Sequence, residues 1–143
     1  MYPVMINIRE KKVVVVGGGK VAARKIKTLL AEQAAVTVVS PTLHADIPQA
    51  EIQWLARPYQ TGDLEGAKLV FACTDQAEVN RQIMEYAAPS QLVNNTGDKT
   101  FSDFYNVAIA RKKDVSVMIS TNGFSPSRSK EIRKKIEAIL DQL

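Results

Sequence analysis

An α/β fold built on a doubly wound parallel sheet is predicted by three features of the sequence. Four consecutive valines, Val13 to Val16, run into a triple glycine, Gly17-Gly18-Gly19, and then into a helical pattern. Short apolar runs recur after it at 36–39, 52–55, 68–73 and 92–93, separated by helical or turn-rich stretches. From residue 105 the pattern changes to two short strands and one helix, a small α+β segment appended to the sheet. Apolar runs that alternate with helices are what a parallel sheet covered on both faces requires.

Taken in order, Tyr2 to Ile8 is a short extended lead-in. Val13–Val16 is the first strand, and the helix after it carries an apolar stripe of Val21, Ile26, Leu29 and Leu30, with Lys20, Arg24, Lys25 and Lys27 in water. Val36–Val39 is the second strand. Ile52–Leu55 is the third, broken by Arg57-Pro58-Tyr59 and Thr61-Gly62-Asp63. Lys68–Cys73 is the fourth, with Cys73 read as a buried strand thiol. The helix from Glu78 to Ala87 turns Val79, Ile83 and Tyr86 inward, and Leu92-Val93 is a fifth strand ending in Asn94-Asn95-Thr96-Gly97-Asp98. Tyr105–Ala110 and Val115–Ser120 form the two strands of the tail, joined by Arg111-Lys112-Lys113-Asp114. Ser125 at the N-cap with Pro126 behind it starts the last helix, whose stripe is Ile132, Ile136, Ile139, Leu140 and Leu143. The expected domains are 1–110, the sheet, and 111–143, the appended segment.

The glycines fit the spacing G-x-G-x-x-A at Gly17, Gly19 and Ala22. The first glycine allows a tight turn, the second lets backbone approach a pyrophosphate, and the alanine lets the helix pack close to the sheet. The helix N-terminus offers free N–H groups and a partial positive charge. A Rossmann-like dinucleotide site is expected, with Gly17, Gly18, Gly19, Lys20 and Val21 around the phosphates. Thr74, after the fourth strand, points to the same sheet edge. Ser40, Pro41 and Thr42 follow the second strand, where an acid usually meets the adenosine ribose. Ser40 can hydrogen-bond a hydroxyl and cannot repel a 2′-phosphate, so it leans only weakly toward NAD over NADP.

Composition excludes several classes. With 143 residues the chain suits one domain, or one domain and a small appendage. No apolar run approaches the roughly 20 residues of a membrane span, and the N-terminus lacks a signal-peptide pattern. One cysteine and one histidine, Cys73 and His44, make neither a disulfide framework nor a metal cluster, and they fit a reducing cytoplasm. His44 reads as a surface loop residue. The formal net charge is +4, and it is localised: residues 1–110 balance 11 basic against 11 acidic side chains, whereas 111–143 hold 8 against 4. A basic tail fits an anionic partner, and equally a solvated helix face.

Together, VVVVGGGKVAARK, VTVVSP, FACTDQAEVN, VNNTGD, SDFYN and ISTNGFSPSRSKEIRKKIE resemble the dehydrogenase domain of the siroheme synthase family over nearly the whole chain. These are precorrin-2 dehydrogenases, some of which are also sirohydrochlorin ferrochelatases. The resemblance implies NAD-dependent oxidation of precorrin-2 to sirohydrochlorin. It also implies a homodimer with interlocked C-terminal segments and the tetrapyrrole held between two domains. Precorrin-2 is rich in carboxylates, which suits the basic excess after residue 110. Family members usually continue into a longer helical region, so residues 111–143 are expected either to be a short form of it or to lack part of the substrate cover, which weakens the expectation of ferrochelation. The family's S-P-A-L-A-R reads Ser125-Pro126-Ser127-Arg128-Ser129-Lys130 here. The family's catalytic acid follows V-N-x-x. Counting from Val93-Asn94 reaches Gly97, and the adjoining acid, Asp98, becomes the candidate.

Asp98 then has two readings, a base and the side chain of an Asx-turn. The implied substrate contacts are Asn94 and Asn95 at the strand end, with Arg111, Lys112, Ser125 and Arg128 in the tail. The expectation is therefore a cytoplasmic NAD-dependent dehydrogenase with a tetrapyrrole substrate, and with no metal, membrane or nucleic-acid partner. The alternative is a non-catalytic nucleotide-sensing module whose basic tail binds a partner, though the tail has few aromatic side chains to stack on bases.

Overall fold

The computed structural model describes residues 1–143 and divides them into two compact units, 2–105 and 106–143 together with Met1. The first unit contains β1 (Lys12–Val16), α1 (Lys20–Ala31), β2 (Ala35–Val39), a 3-10 turn at Gln49–Glu51, β3 (Gln53–Leu55), β4 (Leu69–Ala72), α2 (Ala77–Tyr86) and β5 (Leu92–Asn95). The five strands form one parallel sheet in the order β3-β2-β1-β4-β5.

The valine run is explained by the pleat. Successive side chains point to opposite faces, and both faces of the central strand are covered. Val13 and Val15 pack with Ala22, Ala23, Ile26 and Leu29 of α1, joined by Val36 and Val38 of β2. Val14 and Val16 pack on the other face with Val70, Ala72, Val93 and Ile83 of α2. Each fully buried valine contributes about 1.5–3 kcal/mol of apolar transfer.

Two side-chain clamps fix the sheet's borders. At the β3 border, the Arg57 guanidinium donates to both Asp63 oxygens at 2.8 and 2.7 Å, and Trp54 Nε1 donates to the Ser40 carbonyl at 2.8 Å. At the β5 border, Asp103 N–H donates to the Val93 carbonyl at 2.8 Å, while Val93 N–H donates to Asp103 Oδ2 at 2.9 Å. Phe104 then meets Phe71 edge-on, with centroids 5.5 Å apart.

In the second unit, β6 (Ala108–Lys112) and β7 (Val115–Ile119) pair antiparallel, with Ala110 opposite Val117. Lys113, at φ 52°, turns the chain between them. The helix α3 (Pro126–Leu140) covers one face of this hairpin, and Ala110, Ile119 and Leu140 are the buried centre.

Several expected details differ. Val21 is 43% exposed, and the true inner stripe of α1 is Ala22, Ala23, Ile26 and Leu29. Close packing on the sheet selects the small residues, leaving Val21 on the open side of the first turn. Tyr86 is 63% exposed, since α2 ends there and its phenol lies beyond the covered face. Ile139 and Leu143 are 57% and 82% exposed. The hairpin is only two strands wide and covers little more than the Ile132–Ile136–Leu140 side of α3. The sixth strand begins at Ala108 rather than 105, because residues 102–104 are held against β5.

Candidate functional site

The strand order reverses between β1 and β4, so the loops after these strands diverge and leave a crevice at the carboxyl edge of the sheet. The three glycines that line it are required for three different reasons. Gly17 has φ +125°, and a Cβ there would lie 2.6 Å from the Cys73 carbonyl oxygen. A Cβ on Gly18 would overlap the Thr42 carbonyl oxygen and sit 2.7 Å from Ser40 Oγ. The Gly18 carbonyl also accepts a bond from His44 N–H at 2.6 Å. Gly17 and Gly18 therefore let the loop lie flat against its neighbours. Around a Cβ at Gly19 there is nothing within 4 Å, so this position alone faces open space.

That open space lies at the start of α1. Gly19 is its N-cap and brings no side chain to satisfy the first N–H groups, and the first turn holds no acid. An uncapped helix start beside a residue without a Cβ is a cradle for a phosphate. The residues present thus fit the pyrophosphate of a dinucleotide. Lys20 and Val21, both exposed, flank the cradle.

The expected adenosine side is partly rearranged. Ser40 is buried, with its side chain toward Gly18 and its carbonyl taken by Trp54, whereas Pro41 and Thr42 are exposed. Opposite, the loop after β4 carries Cys73 and Thr74. Burial pushes the Cys73 thiol up to about 11, so it is a neutral group packed against the core beneath the glycine loop. Burial also lowers the Lys25 ammonium from its usual value.

Thr74 is held by a residue that the sequence reading passed over, Asn80 of α2. Thr74 N–H and its hydroxyl lie 3.1 and 2.7 Å from Asn80 Oδ1, and Asn80 Nδ2 donates to the Thr74 carbonyl at 3.0 Å. One signal was available: Asn80 is a polar residue at helical spacing from Ile83, on the inner face, where a buried amide must find partners.

Asn94 and Asn95 are buried and act within their own loop. Asn94 Nδ2 donates to the Phe104 carbonyl at 2.8 Å, and Asn95 Oδ1 accepts from Gly97 N–H at 3.0 Å. Ser102 Oγ accepts from Asn95 N–H at 2.9 Å. These bonds shape the segment that carries Asp98 at the carboxyl end of β5. Asp98 is exposed, and its Oδ1 accepts from the Thr100 hydroxyl at 2.6 Å and from Thr100 N–H at 2.9 Å. The Thr100 hydroxyl, followed by Thr100 N–H, holds this carboxyl below its ordinary range. Both turn geometry and an available carboxylate are therefore combined in one side chain.

The remaining expected residues belong to the second unit and form two separate groups within it. Ser125 Oγ accepts from Arg128 N–H at 3.2 Å as the N-cap of α3. Lys112 Nζ lies 3.0 Å from Asp141 Oδ1 just past the other end of that helix, and Arg111 is its neighbour on β6. A helix of 15 residues separates the two groups by about 20 Å. No group of three or more His, Cys, Asp or Glu side chains is arranged to hold a metal ion.

Comparison with known proteins agrees with this geometry. An NAD(P)-binding family model matches residues 4–108. The precorrin-2 dehydrogenase of Bacillus subtilis is 37% identical, with 99% of this chain aligned to 90% of that protein. Siroheme synthase 1 of Cronobacter sakazakii is 34% identical over 96% of this chain, which spans only 30% of that longer protein. The solved structure of SirC, a precorrin-2 dehydrogenase, superposes with a TM-score of 0.86 at 31% identity, covering 96% of this chain and 70% of that one. A Rossmann-like sheet, an open phosphate cradle and near-full-length similarity converge on one assignment: the chain belongs to the precorrin-2 dehydrogenase family.

Proposed function

We propose that this protein oxidises precorrin-2 to sirohydrochlorin with NAD, a step of siroheme biosynthesis. The observation that carries the reading is the phosphate cradle at Gly19, in a chain aligned with 90% of the Bacillus subtilis precorrin-2 dehydrogenase at 37% identity. When bound, NAD supplies the hydride acceptor, and a proton leaves the substrate as the hydride does. The first turn of α1 and the backbone of Gly17 to Gly19 bind the pyrophosphate. Pro41 and Thr42 border the adenosine, with Ser40 supporting them from below. Thr74 borders the nicotinamide half.

Asp98 is the carboxylate assigned to the departing proton or to the pyrrole N–H groups of the substrate. Its lowered pKa keeps it ionised at neutral pH and makes it a weak base, so orientation of the substrate carries much of its value. Asn94 and Asn95 hold the loop that presents it. Arg111, Lys112, Ser125 and Arg128 are assigned to substrate carboxylates. Two copies of the chain associate through the second unit, where Met118, Phe124, Ile139 and Leu143 are exposed. No helix is long and apolar enough to cross a membrane, and the cytoplasm is the proposed compartment.

The test is direct. Purified protein is mixed with precorrin-2 and NAD, and NADH and sirohydrochlorin absorbance are followed, with ferrous or cobalt ions added in a parallel run. Equal amounts of NADH and sirohydrochlorin support the reading. NAD binding without any sirohydrochlorin would favour a nucleotide-sensing module instead.

A further inference from the structure

We propose that Asn80 is a positioning residue for the dinucleotide site: its side-chain amide fixes the loop after β4, which forms one wall of the crevice. This rests on the cofactor reading above. Asn80 lies in the first turn of α2 and is only 2% exposed. A buried amide has two donors and an acceptor to satisfy, and here the bonds run to a single residue. Asn80 Oδ1 accepts from Thr74 N–H and from the Thr74 hydroxyl, and Asn80 Nδ2 donates to the Thr74 carbonyl.

The amide therefore takes both backbone groups of Thr74 at the point where they have left the sheet, since β4 ends at Ala72. In effect it adds one more rung to the ladder and tells the loop where to go. The consequences reach both neighbouring loops. The Cys73 carbonyl, one residue before Thr74, is the atom that a Cβ on Gly17 would strike at 2.6 Å. The seat of the glycine loop thus depends on where the β4 loop is held. On the other side, a Cβ on Gly97 would come within 3.2 Å of Asn80 Nδ2, so the same amide sits against the loop after β5. A residue needed only to fill space would have no reason to bind both backbone groups and the hydroxyl of one residue. Asn80 acts on the cofactor through Thr74, on the loop that faces the pyrophosphate cradle across the switch point.

The experiment is NADH fluorescence titration of the full chain, with thermal unfolding in parallel, for the wild type, Asn80→Ala, Asn80→Asp and Thr74→Val. Asn80→Ala should weaken NADH binding about tenfold, from the loss of hydrogen bonds that hold the loop. With precorrin-2, its KM for NAD should rise by the same factor while kcat at saturating NAD stays within about threefold. Asn80→Asp keeps the acceptor but turns a charge toward the Thr74 carbonyl. Burial raises the pKa of such a carboxyl, so binding should be weak at mildly alkaline pH and recover as the pH falls and the group can donate again. A residue that merely stabilised the fold would give neither the KM-against-kcat split nor this recovery. Thr74→Val should show a smaller loss. Should Asn80→Ala not fold, Asn80→Asp and Thr74→Val decide the matter. Variants that bind NADH as tightly as a binding-competent wild type overturn the positioning role alone. A wild type that binds no NADH removes the cofactor reading, and this inference with it.

Discussion

Gly18 and Gly19 are adjacent and chemically identical, and they should fail differently when substituted. Gly18→Ala drives a Cβ into the Thr42 carbonyl oxygen and against Ser40. Such overpacking costs about 1–3 kcal/mol, and thermal unfolding should show it without any ligand. Gly19→Ala meets no atom within 4 Å and sits at φ −88°, which alanine adopts freely. Its melting temperature should be unchanged while NAD affinity falls, because the methyl occupies the approach to the cradle. Unchanged affinity would make the glycine loop structural only. Asp98→Asn is the second residue test. Asparagine can accept the same two Thr100 bonds, so the turn should survive. If Asp98 serves the reaction, turnover should fall about 10²–10⁴-fold with NAD affinity intact. Full activity removes Asp98 from the mechanism and directs attention to Asp103. At this scale the sequence was readable for the glycines, because the motif states which backbone must approach a ligand. Asn80 was hidden because its partner, Thr74, is identified only by the course of the chain between them.

At the scale of elements, two local devices can be tested on stability. Ser125→Ala removes the side-chain bond to Arg128 N–H that starts α3 and should cost about 1 kcal/mol. Thermal denaturation measures it, and no loss would mean that Pro126 and the Thr121 contacts suffice. The Arg57–Asp63 clamp should give a pH dependence. The Arg57 hydrogen bonds, chief among several causes, hold the Asp63 carboxyl below its ordinary range. A carboxyl with a depressed folded pKa stabilises fully above its unfolded value of about 4 and loses that contribution as pH falls through the folded value. Asp63→Asn should therefore lower stability by about 1–2 kcal/mol at neutral pH and flatten the acid limb of the melting curve against pH. An unaltered acid limb would contradict it. The strands were legible because a doubly covered sheet leaves continuous valine runs such as Val13–Val16. The inner stripes of α1, α2 and α3 were misjudged at Val21, Tyr86, Ile139 and Leu143. Apolar spacing marks a face, whereas the width of the sheet or hairpin beneath decides how much of that face is covered.

For the whole molecule, the proposed dimer predicts a solution mass twice the 15.8 kDa of the chain at micromolar concentration, and a monomeric mass would count against it. A two-strand hairpin and one helix bury only three apolar residues, Ala110, Ile119 and Leu140. Such a unit gains core by pairing. The glycine turn before α1 was legible because one contiguous motif builds it. The residues proposed for substrate do not form one cluster: Ser125 and Arg128 sit at one end of α3 and Lys112 at the other. Spacing along the chain did not convey that separation. The cradle at Gly19 is proposed to bind the cofactor for oxidation of precorrin-2. This proposal is tested most directly by measuring sirohydrochlorin and NADH formation in the wild type and in Gly19→Asp, which sets a carboxylate where the pyrophosphate would lie. Equal yields of both products are expected from the wild type and neither from a folded Gly19→Asp. Undiminished conversion by Gly19→Asp, or none by the wild type, would contradict it.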